Sequence, residues 1–273
     1  LSEFTILPDM GEYMHSSYFD GADKYCKDNF LFIKYFGTDV IPKILSLKRR
    51  IEFLVSMIWF LPDNFIDHCL QFLSQLFPDH LPSRVRDYRK RFDHYLILLT
   101  SDDSILPTKE LLQSETSNKE NYEYFECDYN EGKDLLLHRY VAGSAPSRYK
   151  KIFPDDSGEM IPLDLSLPRN CSSWHEILPK DILSQMSKSF QMGHFLCMVF
   201  HWDFVVKKGI DSERLKNKIL SLLDEVGAKY PAEHNVGHLY KADDNLSSFY
   251  HQLDPTNTFN PGIGKDSKYK HYK

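Results

Sequence analysis

Residues 230–240, YPAEHNVGHLY, gather a glutamate, two histidines and two tyrosines around a proline, an asparagine and a glycine. Histidine titrates close to neutral pH, so a histidine beside a carboxylate can move protons. Glu233 precedes His234 and can fix its tautomer; the alternative is a pair that only bonds backbone groups in an irregular loop. His238 follows His234 by four residues, a helical spacing that Pro231 and Gly237 interrupt. The zinc-hydrolase order HExxH is absent, because Glu233 precedes both histidines.

The elements that must position this cluster change character along the chain. From 16 to 94, apolar clusters alternate with Pro and Asp-Asn breaks (IPKILSLKRR, LPDNFIDH, FPDHLPSRVRDY), which predicts short helices joined by proline turns. HYLILLTS reads as a strand, 105–116 as a short helix, NYEYFECD as a second alternating strand, and 131–149 as helical. KIFPDDSGEMIP reads as a turn-rich link, LDLSLP as a short strand, and MGHFLCMVFHWDFVVKKG as one long β-prone run. The clearest helix is DSERLKNKILSLLDEVGA: Asp211 is its N-cap, Leu215, Ile219, Leu222, Leu223 and Val226 form one stripe, and Gly227 is its stop. Strands and helices mixed without strict alternation predict an α+β fold, an antiparallel sheet with helices on one face.

A length of 273 residues is enough for a substantial core, and 42 % hydrophobic with 26 % charged residues is ordinary for a folded chain. The aromatic share, 14 %, is high and suits a cofactor site, an interface or a membrane surface. Five scattered cysteines without a CxxC pair point to a reduced, cytoplasmic setting. The start, LSEFTILPDM, has no initiator methionine and no basic stretch, and reads as the interior of a longer polypeptide. IEFLVSMIWFL at 51–61 is well short of the roughly 20 apolar residues of a spanning helix. The net charge of −6 hides a basic segment: from Lys43 to His94 nine basic residues face six acidic ones. Within it RVRDYRKRFDHY, drawn as a helix, stripes Val85, Tyr88, Phe92 and Tyr95 between arginines and lysines. That pattern suits an anionic membrane surface, with MIWFLPDNF as an apolar insertion, so neutralising Arg89, Lys90 and Arg91 is expected to weaken vesicle binding. Nucleic acid is a poor fit for an acidic chain without a matching fold signature.

Two stretches, GAKYPAEHNVGHLYKA at 227–242 and DPTNTFNPGIGK at 254–265, closely resemble the C-terminal part of the bacterial quinone-dependent D-lactate dehydrogenases, which are peripheral membrane flavoproteins. The resemblance runs on through LPDMGEYMH, LFPDHLP, LHRY, GHF, VFH and VKKG and covers essentially the whole chain. The family's glycine-rich flavin loops are absent here, so the resemblance implies a C-terminal half whose FAD is held mainly by an N-terminal domain. It implies a cap from residues 1–15, 93–130 and 155–224, a membrane-binding part from 16–92 and 131–154, and a segment 225–273 that completes the FAD domain. It further implies D-lactate as substrate, ubiquinone or menaquinone as electron acceptor, and a peripheral place on the cytoplasmic face of the bacterial inner membrane, against anionic phospholipid.

Within that resemblance His234 becomes the base for the lactate hydroxyl, assisted by Glu233. Arg139, with Arg148 as runner-up, offers a planar fork for the substrate carboxylate, a helix face or a lipid headgroup contact being the alternative. Many flavoprotein 2-hydroxyacid dehydrogenases carry two histidines seven apart and a later Glu-His pair that together hold a divalent ion. His194, His201 and Glu233 form such a candidate metal set, or else His194 and His201 touch substrate or satisfy the core. On one regular strand that odd spacing would put the two histidines on opposite faces unless a bulge intervened. The terminal Asn-Pro-Gly turn makes Asn260, Gly262 and Lys265 candidates for flavin contact. The competing reading of the whole chain is a stand-alone membrane-binding or regulatory module without catalysis.

Overall fold

A computed structural model describes residues 8–59, 61–62, 64–116, 121–169, 171–172, 174–232 and 241–273. Strand β1 (Met10–His15) leads into helices α1 (Ser16–Tyr25), α2 (Lys27–Phe36), α3 (Ile41–Ser56), α4 (Phe65–Gln75) and α5 (Ser83–Arg91) before β2 (His94–Leu99) returns to pair with β1. Helices α6 (Ile105–Thr116), α7 (Tyr129–Ala142) and α8 (Ala145–Ile152) precede β3 (Ser157–Ser166). A short α9 (Lys180–Leu183), strands β4 (Met186–His194) and β5 (Val199–Lys207), and helices α10 (Ser212–Glu225) and α11 (Asp244–Leu253) complete the order. The strands form one antiparallel sheet, β2-β1-β4-β5-β3, so the fold is α+β, as its sequence pattern predicts. Among the described residues no helix is long and apolar enough to cross a membrane.

Alternation along the central strands divides two cores. On β5, Phe200, Trp202, Phe204 and Val206 point into a core shared with α10, while His201, Asp203 and Val205 occupy the face toward α1, α7 and α8. Helix α10 meets its sequence reading: the Asp211 side chain accepts from Arg214 N–H, Leu215, Ile219 and Leu223 are buried, and Gly227 ends the turn at φ 73°. Each of those three aliphatic side chains contributes about 1.5–3 kcal/mol by leaving water. On the opposite face Gly21 lets α1 lie directly on β4, since a Cβ there would stand 2.7 Å from Phe190 Cε1.

Four readings need correction. The 122–128 stretch joins no ladder; its alternation serves Phe125, which packs on Tyr88 and under the Arg84 guanidinium. The 192–209 run is a hairpin, not one strand: a 3-10 turn over Phe195–Cys197 and Met198 in the left-handed region (φ 56°) reverse the chain between β4 and β5. Strand β3 starts at Ser157 inside the expected link and passes through Pro162, which an edge strand tolerates because one side of its backbone needs no donor. The helix expected at 131–149 breaks at Gly143 and Ser144 into α7 and α8.

Candidate active-site face

The face of the sheet toward α1 and α7 carries a row of acidic and imidazole groups. In β1, Met10, Glu12 and Met14 share one side, so Glu12 stands on an otherwise apolar face, only 6 % exposed. Register places Glu12 opposite His194, Met192 opposite His201, and Asp164 opposite His201. Residues opposite one another, or two apart along a strand, share a face. The hairpin thus brings His194 and His201 together with no bulge between them, and their rings meet edge to face with centroids 5.2 Å apart. Gly193 makes the tight pairing possible, since a Cβ there would lie 2.6 Å from the Val199 carbonyl oxygen.

Glu12 is held from two directions. Arg139 on α7 donates from Nε and Nη2 to Oε2 at 2.9 and 2.8 Å, and Oε1 lies 2.8 Å from His194 Nδ1. A carboxylate paired with a guanidinium is ionised and only accepts, so His194 carries its proton on Nδ1 and, as a neutral ring, keeps its lone pair on Nε2. A carboxylate behind an imidazole in this way orients it as a base or a metal ligand. His201 Nδ1 stands 3.8 Å from Asp164 Oδ1. Farther along the face, Tyr18 on α1 donates to Asp203 at 2.7 Å, and burial pushes the Asp203 carboxyl upward.

Of the sequence-predicted residues, His194, His201 and Arg139 converge here. Glu12 and Asp164 were missed, although a glutamate on the methionine side of MGEYMH is a readable signal. Glu233, His234 and His238 lie outside the described residues. The chain leading to them is anchored nearby: Ser166 and Lys229 pair, and Ala232 N–H donates to the Asp164 carbonyl at 3.0 Å. Arg148, the runner-up for the carboxylate grip, is elsewhere: it is buried on α8 and pairs with Asp28 at 2.9 Å and Asp67 at 3.2 Å. Asn260, Gly262 and Lys265 form a turn whose described hydrogen bonds run within 254–273, to α11 and to Ala242. Gly262 and Gly264 are required by that turn's own left-handed backbone, at φ 85° and 66°, whereas Asn260 and Lys265 are exposed.

The helical layer shows a contrasting flank. Helix α3 buries none of its residues, and it and its continuation expose Leu47, Phe53 (64 %), Leu54, Met57 and Trp59 (92 %); α4 and the residues after it add Phe72, Leu73, Leu76 and Phe77. Exposed Lys43, Arg49 and Arg50 accompany them. Buried Asp67 ties this flank down, accepting from Lys48 on α3 at 2.6 Å and from Lys151 on α8 at 3.1 Å. The basic stripe expected at 84–95 is different: α5 ends at Arg91, Tyr95 belongs to β2, and three arginines are committed within the chain. Arg84 pairs with Glu131, Arg89 with Asp20 and Asp23, and Arg91 with Asp87 and Glu123.

The chain thus sets a buried row of carboxylates and imidazoles on one sheet face beside a helical layer with an exposed apolar flank. The chain belongs to the membrane-binding family of D-lactate dehydrogenases, whose family model, "D-lactate dehydrogenase, membrane binding", matches residues 1–272. It is 44 % identical over 272 residues to the quinone-dependent D-lactate dehydrogenase of Haemophilus influenzae and 43 % identical over 273 residues to that of Escherichia coli, covering 100 % of this chain and 48 % of each relative. The Corynebacterium glutamicum quinone-dependent D-lactate dehydrogenase is 39 % identical over 265 residues. The chain spans about half the length of these relatives.

Proposed function

We propose that this chain is the cap, membrane-binding and C-terminal part of an FAD-dependent D-lactate dehydrogenase that oxidises D-lactate to pyruvate and passes the electrons to a membrane quinone at the cytoplasmic face of the bacterial inner membrane. The observation that carries the reading is the row Arg139–Glu12–His194–His201–Asp164. A membrane-binding module without catalysis has no use for a buried carboxylate that orients an imidazole.

Converting lactate to pyruvate removes a hydroxyl proton and a hydride from C2. A flavin, when bound, would supply the hydride acceptor; the residues of this chain manage the proton and the carboxylate. Glu12 sets the His194 tautomer, which leaves Nε2 as the ring's acceptor or ligand nitrogen. His201, beside Asp164, lies next to it, and Glu233 and His234 follow directly on the Ala232 anchor. His234 acts as the base; a divalent ion on His194, His201 and Glu233 is the variant of this site that the donor set supports. Arg139 keeps three N–H donors beyond the two given to Glu12, enough for a lactate carboxylate. The exposed Asn260 and Lys265 are the residues of the terminal turn left to meet a flavin.

All five strands fall within 1–15, 93–130 and 155–224, the proposed cap, and α1–α5 with α7 and α8 fall largely within the proposed membrane part. Membrane contact is assigned to α3 and the residues after it, because exposed apolar side chains coincide there with exposed Lys43, Arg49 and Arg50, while three of the four α5 arginines are held by carboxylates. The test is direct: full-length protein should carry a flavin that bleaches with D-lactate, and His234→Ala should abolish the bleaching while leaving the flavin bound. Unchanged turnover in His234→Ala would remove that residue from the reading.

A further inference from the structure

The helical layer holds a second cluster that lactate chemistry leaves unused. Asp23 on α1 and Asp79 and His80 in the turn before α5 bring two carboxylate oxygens and an imidazole nitrogen within 4.8 Å of one another. His80 decides its character. Its side chain is 2 % exposed, and Phe30 lies against its ring at 4.0 Å. Its Nε2 is 2.9 Å from His138 Nδ1, and His138 Nε2 is 3.0 Å from the Phe19 carbonyl oxygen. A carbonyl only accepts, so His138 carries its proton on Nε2 and its lone pair on Nδ1. His80 must then donate from Nε2, which leaves the lone pair of the neutral ring on Nδ1.

That Nδ1 has no hydrogen-bond partner, and neither has Asp23 Oδ1, 3.5 Å away. Two buried acceptors facing each other without a donor are costly, and a cation between them resolves the conflict. The neighbouring cations are already placed. Arg89 bonds Asp23 Oδ2 at 3.0 Å and also Asp20, and it stands 4.0 Å from Asp79. Lys27 reaches the Phe77 carbonyl and lies 3.7 Å from Asp23 Oδ1. Asp20, Asp23 and Asp79 thus outnumber Arg89 and Lys27, and the cluster retains negative charge.

We propose that Asp23, Asp79 and His80 bind a divalent first-row transition-metal ion through one oxygen of each carboxylate and His80 Nδ1. One imidazole with two carboxylates favours zinc, manganese or cobalt over the all-oxygen preferences of calcium and magnesium. The hydrogen bonds from His80 through His138 to Phe19 form the outer shell that orients the ligand nitrogen. The ion pins α1 to the turn before α5 and so braces the helical layer.

The experiment titrates chelator-stripped full-length protein with Co²⁺, read by its visible absorption, and with Zn²⁺, read by calorimetry and by Tm. Wild type should bind at least one equivalent and His194→Ala should retain one, and that retained equivalent should weaken at least about tenfold when Asp79→Asn or Asp23→Asn is added. Zn²⁺ should raise Tm in wild type and His194→Ala, but not in His194→Ala carrying Asp79→Asn. Asp79 is partly exposed, so its variant decides the matter where Asp23→Asn fails to fold. Equal affinity in His194→Ala with and without Asp79→Asn, absence of any bound Co²⁺, or loss of all binding in His194→Ala would each overturn the proposal.

Discussion

The sheet face and the α3–α4 flank depart from ordinary burial in opposite directions. On the sheet face Glu12 and Asp203 are out of water, each held by a specific donor from a helix. On the flank Phe53, Leu54, Met57, Trp59, Phe72 and Leu76 stand in water. Burying ionised groups is costly unless they are paired, and exposing a contiguous apolar patch is unusual for a protein that works alone. The sheet face meets its cost with pairing inside the chain; the flank leaves its apolar surface to be covered from outside. The proposed catalytic face and the proposed membrane flank therefore differ in where the compensating partner resides.

The largest effect is expected from breaking the internal pairing. Arg139→Met strands the buried Glu12 carboxylate without its guanidinium and should cost about 3–5 kcal/mol of stability in chemical denaturation. Adding Glu12→Gln to it should restore most of the loss; if the double variant is no more stable than the single, the pairing does not hold this face together. Glu12→Gln alone removes the acceptor that sets the His194 tautomer, and should lower kcat with D-lactate by roughly 10- to 100-fold with little loss of fold. A fall in KM alone would assign Glu12 to a different task. On the flank, Trp59→Ala and Phe53→Ala should leave soluble turnover unchanged but each weaken vesicle binding by roughly 1.5–3 kcal/mol, as befits side chains moved out of water. Arg49→Gln should cost only about 1 kcal/mol, and only on anionic vesicles. Flotation that is insensitive to Trp59 would move the membrane contact away from α3.

How much of this was legible depended on whether a residue's role was local. Helix α10 announces itself because its cap, its stripe and its stop lie within one stretch of chain, and tertiary packing only confirms them. The His194–His201 pair was visible as residues but not as geometry: FLCMVF contains no glycine or proline, and Met198 supplies the left-handed turn that usually marks a hairpin. Glu12 lies within LPDMGEYMH, yet its role is not local, because its partners come from 127 and 182 residues away. The arginines of α5 looked like a membrane stripe because charge pattern shows where cations are but not which carboxylates the fold brings to them. The flank was legible as apolar sequence, MIWFLPDNF, yet only the fold shows that α3 remains uncovered.

Acid titration sharpens the comparison a last time, because the two sides of the interior carry opposite signs. In the helical layer burial lowers His138 to about 3 and His80 to about 4, from an ordinary 6.5. Their folded values lie below the unfolded one, so the unfolded chain takes up the extra protons, and the stability they contribute is complete above about 6.5 and is lost as pH falls toward 4 and below. At the sheet face burial raises Asp203. Its contribution is present at acid pH and is lost as pH rises through its folded value, so acidification recovers part of what the histidines give up. With chelator present, the drop in Tm between pH 7 and pH 4.5 should therefore shrink in His138→Gln and grow in Asp203→Asn. Two variants that both follow the wild-type curve would show that neither buried group sets the acid limb, and that the exposed carboxylates paired with arginine on α5 govern it instead.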